Sequence, residues 1–207
     1  MDNVLVLVRH GQSDWNQKGL FTGWRDPDLT NRGVREAMRA GQLLKARGLK
    51  FDIAYTSLLS RANRTLDLIL EGISQEDLAI VRDQALNERD YGELSGMSKE
   101  EAIKRWGPDQ VLQWRRSYST PPPGGESLKD TSQRVLPFYK TRIWPDVRGG
   151  KNVLVATHGN TMRTLIMYLE ELSAQQIVER EVATGAPIVY RMTMHGHVFD
   201  RHDLKVA

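Results

Sequence analysis

Two short aliphatic runs, each followed by a His-Gly pair, constrain the fold of this chain more than any other feature. The first run, Val4 to Val8, has five consecutive aliphatic residues, three of them valine, and stops at Arg9-His10-Gly11. Such a run is typical of a strand that is buried on both faces of a parallel sheet. Because ligands bind at the carboxyl ends of strands in open α/β sheets, we expect Arg9 and His10 to face a cleft.

The second run, Val153 to Thr157, repeats this pattern and is followed by His158-Gly159 and a helix predicted from about Thr161 to Leu169. A single histidine at a strand end is most simply a surface or hydrogen-bonded residue. Two such strand ends indicate a shared site, since parallel strands end at the same edge of a sheet. In this interpretation the site transfers a phosphoryl group. One imidazole attacks its phosphorus, and the other, protonated, stabilises the charge on the phosphoryl group as it moves.

The remaining pattern predicts a single α/β domain over residues 1–207, with helices on both faces of a mostly parallel central sheet, which is a three-layer α/β/α sandwich. Further strands are predicted at residues 53–56, 79–81 and 188–194, the last of these being the final strand. Predicted helices run from the N-cap Thr30 to Gly48, from near Arg61, through residues 98–106 and 108–114, and from Ser127 with a kink at Pro137. Residues 14–28 are predicted to be a long ordered loop over the strand end.

Composition excludes several classes of protein. The 29 lysines and arginines exceed the 26 aspartates and glutamates by only three, which argues against a nucleic-acid partner. The absence of cysteine excludes disulfides, and the amino-terminal sequence and the lack of a long apolar run predict a cytoplasmic protein without a membrane partner. We interpret His195, His197 and His202 as a solvated edge, because no matching carboxylates accompany them, and predict no metal site.

Three charged positions stay ambiguous on local pattern alone. Arg61 lies close to the amino end of a helix, where it is either a phosphate ligand or a surface arginine. A carboxylate that moves the proton of a substrate hydroxyl is expected in the loop at residues 86–96, but spacing does not choose among its three acids, Glu88, Asp90 and Glu93. The pair Arg115-Arg116 either complements a helix dipole or binds a second anionic group.

The sequence resembles the histidine phosphatase superfamily and, within it, the cofactor-dependent phosphoglycerate mutases. The signature is the segment from Leu7 to Asn16, of which the Arg9-His10-Gly11 core alone marks only the superfamily. The mutase resemblance rests on longer matches: residues 21–24, 56–62, 88–94 and 114–116, the proline run 121–123, and His158-Gly159-Asn160. It implies the mutase version of the three-layer sandwich.

The resemblance implies that His10 is phosphorylated, that Arg9, Arg61 and His158 surround the phosphoryl group, and that Glu88 is the proton donor and acceptor. It also implies a set of pocket residues: Ser13, Asn16, Thr22, Gly23, Arg89, Tyr91, Lys99, Arg115, Arg116, Gly159 and Asn160. The implied reaction interconverts 2- and 3-phosphoglycerate, with 2,3-bisphosphoglycerate as the cofactor that primes His10 and with no metal. A homodimer or homotetramer is also implied.

Two departures from longer family members bear on the ratio of mutase to phosphatase activity. The segment between Pro123 and Glu126 is short, and the chain stops at Ala207 without their extended carboxyl-terminal tail. The alternatives are a hydrolase of the same superfamily, which would not need Lys99 and the Arg115-Arg116 pair, and a non-catalytic binding protein, which would have lost a nucleophile or an arginine. The presence of Lys99 and the Arg115-Arg116 pair argues against the hydrolase, and no nucleophile or arginine is missing as the binding protein would require.

Overall fold

The computed structural model describes residues 3–205, and its strands pair in a single sheet. The strands are β1 (Asn3–Arg9), β2 (Ile53–Thr56), β3 (Ile80–Arg82), β4 (Val153–Thr157), β5 (Pro187–Met192) and β6 (Val198–Asp203). Their order across the sheet is β3-β2-β4-β1-β5-β6. The first four strands in this order are parallel to one another, and β5 and β6 are antiparallel to their neighbours. The predicted mostly parallel sheet is confirmed.

Helices connect and cover these strands. They are α1 (Asp14–Gln17), α2 (Asn31–Ala46), α3 (Ser60–Ile73), α4 (Lys99–Trp106), α5 (Pro108–Arg116), α6 (Leu128–Phe138), α7 (Trp144–Arg148), α8 (Gly159–Leu169) and α9 (Ala174–Glu179). Two single 3₁₀ turns lie at Gln84–Leu86 and Gly92–Leu94. The predicted caps at Thr30, Ser98 and Ser127 are confirmed, because each side chain accepts a hydrogen bond from a backbone N–H of the first helical turn.

Strand β1 contributes to a separate hydrophobic core on each face of the sheet. Leu5 and Leu7 belong to one core cluster, which α6, α7 and α8 complete. Val6 and Val8 belong to the other, which α2 and α3 complete. All four side chains are fully buried. The alternation of side chains along a strand therefore supplies both interfaces of the three-layer sandwich, as predicted.

The helix that begins after Ser127 changes its winding just after Pro137. Regular α-helix ends at Phe138, one residue after Pro137, and the chain continues as a π-helical segment, Tyr139–Ile143, and then as α7. Since proline lacks a backbone N–H, it removes one hydrogen bond of the helix, and the wider turn follows at that point. Thr141 donates its hydroxyl hydrogen to the Pro137 carbonyl, one turn earlier, over 2.7 Å.

Two predictions about secondary structure are wrong, one about the final strand and one about the loop after β1. Residues 188–194 do not form the final strand: β5 ends at Met192, and β6 follows and pairs with it. The stretch at residues 14–28 is not loop throughout, because Ser13 and Asn16 form a capping box that starts α1. The helix α2 ends at Ala46, and the predicted terminating glycine, Gly48, follows its C-cap at positive φ; α9 was not predicted.

Candidate active site

The two His-Gly pairs lie side by side at the carboxyl edge of the sheet. Strands β1 and β4 pair in parallel with Arg9 opposite Thr157, and the ladder extends by one hydrogen bond, from His10 N to the Thr157 carbonyl at 2.8 Å. The ring centroids of His10 and His158 are consequently 5.1 Å apart. Both imidazoles are buried.

His10 presents one ring nitrogen as a nucleophile. Its Nδ1 lies 2.7 Å from the Gly11 carbonyl, which can only accept, so Nδ1 carries the hydrogen and Nε2 the lone pair. Arg61 Nε donates to that Nε2 over 3.3 Å. Burial, followed by the charges of Arg61 and Arg9, holds the pKa of His10 well below its usual value, so the imidazole is neutral at physiological pH.

The glycine after His10 serves packing rather than access to the ring. A Cβ on Gly11 would stand 2.2 Å from the backbone oxygen of Gly33, near the start of α2. A Cβ on Gly33 would in turn meet the Gln12 backbone at 2.1 Å. The two backbones therefore touch, and this contact fixes the turn after β1 against α2.

Arg61 is fully buried and held by loop carbonyls. Its Nη1 donates to the Arg25 carbonyl at 2.8 Å and its Nη2 to the Gly23 carbonyl at 2.9 Å. Asp26 lies 3.7 Å from Nη1 and also accepts the Ser60 backbone N–H at the start of α3. Burial lowers the pKa of Arg61 to about 10, so the guanidinium stays charged. Its Nε–H is left to face His10.

Arg9 crosses from β1 to the segment that follows α9. Its Nη1 donates to the Val182 carbonyl at 2.7 Å, and its Nε is buried without a hydrogen-bond partner among the described residues. A Cβ on Gly159 would lie 3.4 Å from that Nε, so Gly159 permits a close approach of the guanidinium. Arg9 thus packs across the second His-Gly pair.

Of the three loop carboxylates, only Glu88 is buried at the site. Its Oε1 accepts hydrogen bonds from the backbone N–H groups of Arg89 at 2.8 Å and Asn160 at 3.1 Å. Asp90 instead accepts the Gly92 N–H, and Glu93 is exposed and pairs with Arg105. The structure therefore separates the three acids that spacing could not.

Arg134, on α6, holds the backbone of the Glu88 loop. It donates to the carbonyls of Ala85, Asn87 and Glu88 at 2.8 to 2.9 Å, and Trp24 Nε1 donates to the Glu88 carbonyl at 2.7 Å. The same guanidinium makes two hydrogen bonds of 2.8 Å to the carboxylate of Glu126. We call this pair the Arg134–Glu126 clamp. Neither residue was predicted to belong to the site.

These residues open on a cavity of about 590 Å³. Most of the predicted site residues line it: Arg9, His10, Asn16, Thr22, Arg61, Glu88, Tyr91, Lys99, Arg115, Gly159 and Asn160. Arg89 and Arg116 line an adjoining cavity of about 150 Å³. Ser13, Gly23 and His158 line neither; Ser13 caps α1, and Gly23 holds Arg61 through its carbonyl.

The smaller cavity is strongly cationic. Four arginines line it, and no acidic residue does: Arg89, Arg115, Arg116 and Arg163. Arg89 Nε is buried and has no hydrogen-bond partner within residues 3–205. Arg163 was not predicted, although its position one turn after Gly159 on α8 is a signal that could have found it. Together these donors can hold an anionic group of the substrate.

Neither a metal-binding group nor a membrane-spanning helix is found among residues 3–205. Within residues 3–205, no group of three or more His, Cys, Asp or Glu side chains is placed to hold a metal ion. His202 pairs with Asp200 at 3.1 Å on the exposed strand β6. No helix in the same part of the chain is long and apolar enough to cross a membrane.

The sequence of this chain is similar to one superfamily model and to proteins that share a single name. A sequence model of the histidine phosphatase superfamily (branch 1) matches residues 5–204. The 2,3-bisphosphoglycerate-dependent phosphoglycerate mutase of Bradyrhizobium diazoefficiens is 60% identical over 98% of both chains. The enzyme of the same name from Azorhizobium caulinodans is 57% identical over 100% of both.

Solved structures agree on the fold. Bacillus stearothermophilus YhfR superposes with a TM-score of 0.81 at 27% identity, over 94% of this chain and 93% of that one. The alpha-ribazole phosphatase from Shigella flexneri has a TM-score of 0.81 at 24% identity, over 98% and 95%, which shows likeness of fold. The chain therefore belongs to the histidine phosphatase superfamily, in the family of the 2,3-bisphosphoglycerate-dependent phosphoglycerate mutases.

Proposed function

We propose that this protein interconverts 2-phosphoglycerate and 3-phosphoglycerate through phosphorylated His10. The observation that carries the proposal is a cavity that joins a buried histidine nucleophile to a second cationic cluster. A phosphoglycerate has two anionic groups, so one can react at His10 while the other is held by Lys99 and the arginines of the smaller cavity. The relatives of matching length carry the mutase name.

His10 is suited to accept a phosphoryl group at Nε2. The phosphorus–oxygen bond of the donor breaks as the Nε2–phosphorus bond forms, while the Gly11 carbonyl keeps the ring oriented. Arg61 and Arg9 supply positive charge to the phosphoryl oxygens as it moves. Because the pKa of His10 is lowered, the lone pair is present without prior loss of a proton.

Glu88 is suited to move the hydroxyl proton. Its Oε1 is held by two backbone N–H groups, whereas its Oε2 makes no hydrogen bond within the described residues and is left for substrate. When the substrate hydroxyl attacks the phosphoryl group on His10, Glu88 takes the hydroxyl proton, and it returns a proton in the reverse step. The Arg134–Glu126 clamp fixes the main chain that carries this carboxylate.

The donors present fit a bisphosphorylated cofactor. Two of the buried nitrogens without a partner, Arg9 Nε and His158 Nδ1, lie by the histidine pair, and Arg89 Nε lies by the second cluster. When bound, 2,3-bisphosphoglycerate supplies the phosphoryl group that primes His10. A homodimer or homotetramer, a cytoplasmic location and the absence of a metal requirement belong to the same proposal.

The test is to incubate the protein with 3-phosphoglycerate, with and without catalytic 2,3-bisphosphoglycerate, and to follow 2-phosphoglycerate and free phosphate. We expect cofactor-stimulated isomerisation with little release of phosphate. Dominant release of phosphate would replace the mutase with a hydrolase, and the absence of both products would reject enzymatic function on these substrates.

Glu88→Gln tests the proton-transfer role. We expect kcat to fall by about 10²–10⁴-fold with a small change in KM, because general acid–base catalysis contributes on that order. Glu93→Gln is the matched control, since Glu93 lies in the same loop but is exposed and paired with Arg105. A loss confined to KM in Glu88→Gln would contradict the role.

A further inference from the structure

Ser57 is a buried hydroxyl that the proposed reaction does not yet use. It directly follows β2, and β2 pairs in parallel with β4, with Thr56 opposite Ala156. This register brings Ser57 Oγ to 2.8 Å from Nε2 of His158. Both residues are fully buried. The contact is therefore shielded from water and set by the sheet.

The hydrogen atoms at this contact can be counted. Ser57 Oγ accepts the backbone N–H of Leu59 at 3.1 Å, and the only other partner of its hydroxyl within residues 3–205 is Nε2 of His158. If Nε2 carried the ring hydrogen, the buried Ser57 hydroxyl would have no acceptor for its own hydrogen. If the hydroxyl donates to Nε2, both groups at this contact are satisfied, and the ring hydrogen lies on Nδ1.

The other nitrogen of His158, Nδ1, is buried and has no hydrogen-bond partner in the described part of the chain, and the ring lies beside that of His10. A phosphoryl group on His10 carries oxygens that accept hydrogen bonds. A hydrogen on Nδ1 would meet one of them with the right polarity, whereas a lone pair there would repel it.

We propose that Ser57 is a positioning residue that holds His158 as the neutral Nδ1–H tautomer, so that His158 donates a hydrogen bond to the phosphoryl group on His10. This inference rests on the proposed phosphoryl transfer at His10. It replaces the expectation of a protonated second histidine, because the charge is supplied by Arg9 and Arg61. Burial and the neighbouring cations Arg61, Arg9 and Arg134, together with His10, also keep the pKa of His158 low.

The first test is spectroscopic and needs no turnover. In protein labelled with ¹⁵N-histidine, long-range ¹H–¹⁵N correlation spectra distinguish the two neutral tautomers and the imidazolium. At neutral pH we expect His158 to be the Nδ1–H tautomer in the wild type and in Ser57→Thr, which keeps the hydroxyl. Ser57→Ala should shift the ring towards the Nε2–H form. An Nε2–H tautomer or an imidazolium in the wild type would overturn the inference.

The second test is kinetic. We expect Ser57→Ala to slow phosphorylation of His10 by 2,3-bisphosphoglycerate about tenfold at saturation, the equivalent of one hydrogen bond, with KM changed less than about twofold. Ser57→Thr should recover most of the rate. Thr164→Val is the control, because it removes a buried hydroxyl from α8 that bonds only within its own helix, to the Thr161 carbonyl.

The outcomes separate the two proposals. A Ser57→Ala rate and tautomer equal to those of the wild type would overturn the role of Ser57, as would an equal loss in Thr164→Val. If the wild type is not phosphorylated at all, the proposed function fails, and the tautomer measurement alone still decides the assignment of Ser57.

Discussion

The two strand ends that carry His10 and His158 are alike in sequence but differ in what holds each imidazole. His10 is oriented through Nδ1 by the carbonyl of the next residue, which no side-chain substitution can remove. His158 is oriented through Nε2 by the side chain of Ser57, on the neighbouring strand. The first ring is consequently left with Nε2, which meets Arg61, and the second with Nδ1, which has no partner within residues 3–205.

The glycines that follow the two histidines also differ, in whether they contact main chain or a side chain. Gly11 touches the backbone of Gly33, so its contact is with atoms that cannot move aside. Gly159 begins α8 and faces the side chain of Arg9. The first strand end is thus built into the main-chain packing, and the second is adjusted by side chains. We interpret the first as the place of covalent chemistry and the second as its support.

Replacing each histidine in turn should give the largest contrast. We expect His10→Gln to abolish acid-labile phosphorylation, because no other described group offers a lone pair at that position. His158→Gln should keep the labelling but slow it by about 10²–10³-fold, the usual loss when one donor to a developing anion is removed. Rapid labelling with radioactive cofactor measures both. Persistence of label in His10→Gln would place the nucleophile elsewhere.

Replacing each glycine should separate folding from activity. Gly11→Ala places a Cβ 2.2 Å from a backbone oxygen, and we expect the free energy of unfolding to fall by about 3 kcal/mol or more. Gly159→Ala places it 3.4 Å from the movable Arg9 side chain and should change stability by less than about 1 kcal/mol, while slowing transfer. Urea denaturation compares the two variants. Equal stability losses in the two variants would contradict the claim that Gly11 contacts main chain and Gly159 a movable side chain.

The Arg134–Glu126 clamp supports the second strand end more than the first. Arg134 binds the Asn87 carbonyl, which also accepts the Thr161 hydroxyl of α8, the helix that follows His158. Arg134→Lys keeps the charge but loses the forked geometry, so we expect a stability loss of about 1–3 kcal/mol and a several-fold lower kcat.

The control for the clamp is Arg105→Lys at the exposed pair with Glu93. It should change the free energy of unfolding by less than about 0.5 kcal/mol. The role of the clamp would be contradicted if both lysine variants behaved alike in denaturation and turnover.

The two lowered histidine pKa values should also affect the dependence of stability on pH. Both rings are neutral in the folded protein and regain the ordinary pKa of about 6.5 when unfolded. Below that pH the unfolded chain binds more protons, so stability is fully present above about pH 6.5 and is lost as the pH falls. The slope between pH 6.5 and 5 should be smaller in His158→Gln than in the wild type, and an unchanged slope would contradict the assignment.

Sequence reasoning located the strand ends because it depends on local pattern. Two buried strands ending in His-Gly suffice to predict that His10 and His158 share an edge. Strand β6 was not predicted, because its Asp200 and Asp203 are poor strand formers; it is held in place by pairing with β5.

The supporting residues could not be predicted for a different reason. Ser57 reaches His158 only through the register of β2 with β4, and Arg134 reaches the Glu88 loop from α6, across 46 residues of chain. These contacts depend on tertiary packing rather than on neighbouring sequence. Arg163, one turn into α8, is the exception that helical spacing could have identified.

Phosphoryl transfer through His10 is tested most directly by locating the phosphoryl group on the protein after reaction with 2,3-bisphosphoglycerate. Peptide mass spectrometry under alkaline conditions identifies the modified residue, and ³¹P–¹⁵N coupling in histidine-labelled protein identifies the bonded nitrogen. We expect a single phosphohistidine, at Nε2 of His10, that is discharged by 3-phosphoglycerate. Phosphorylation at Nδ1 of His10, or at His158, would contradict it.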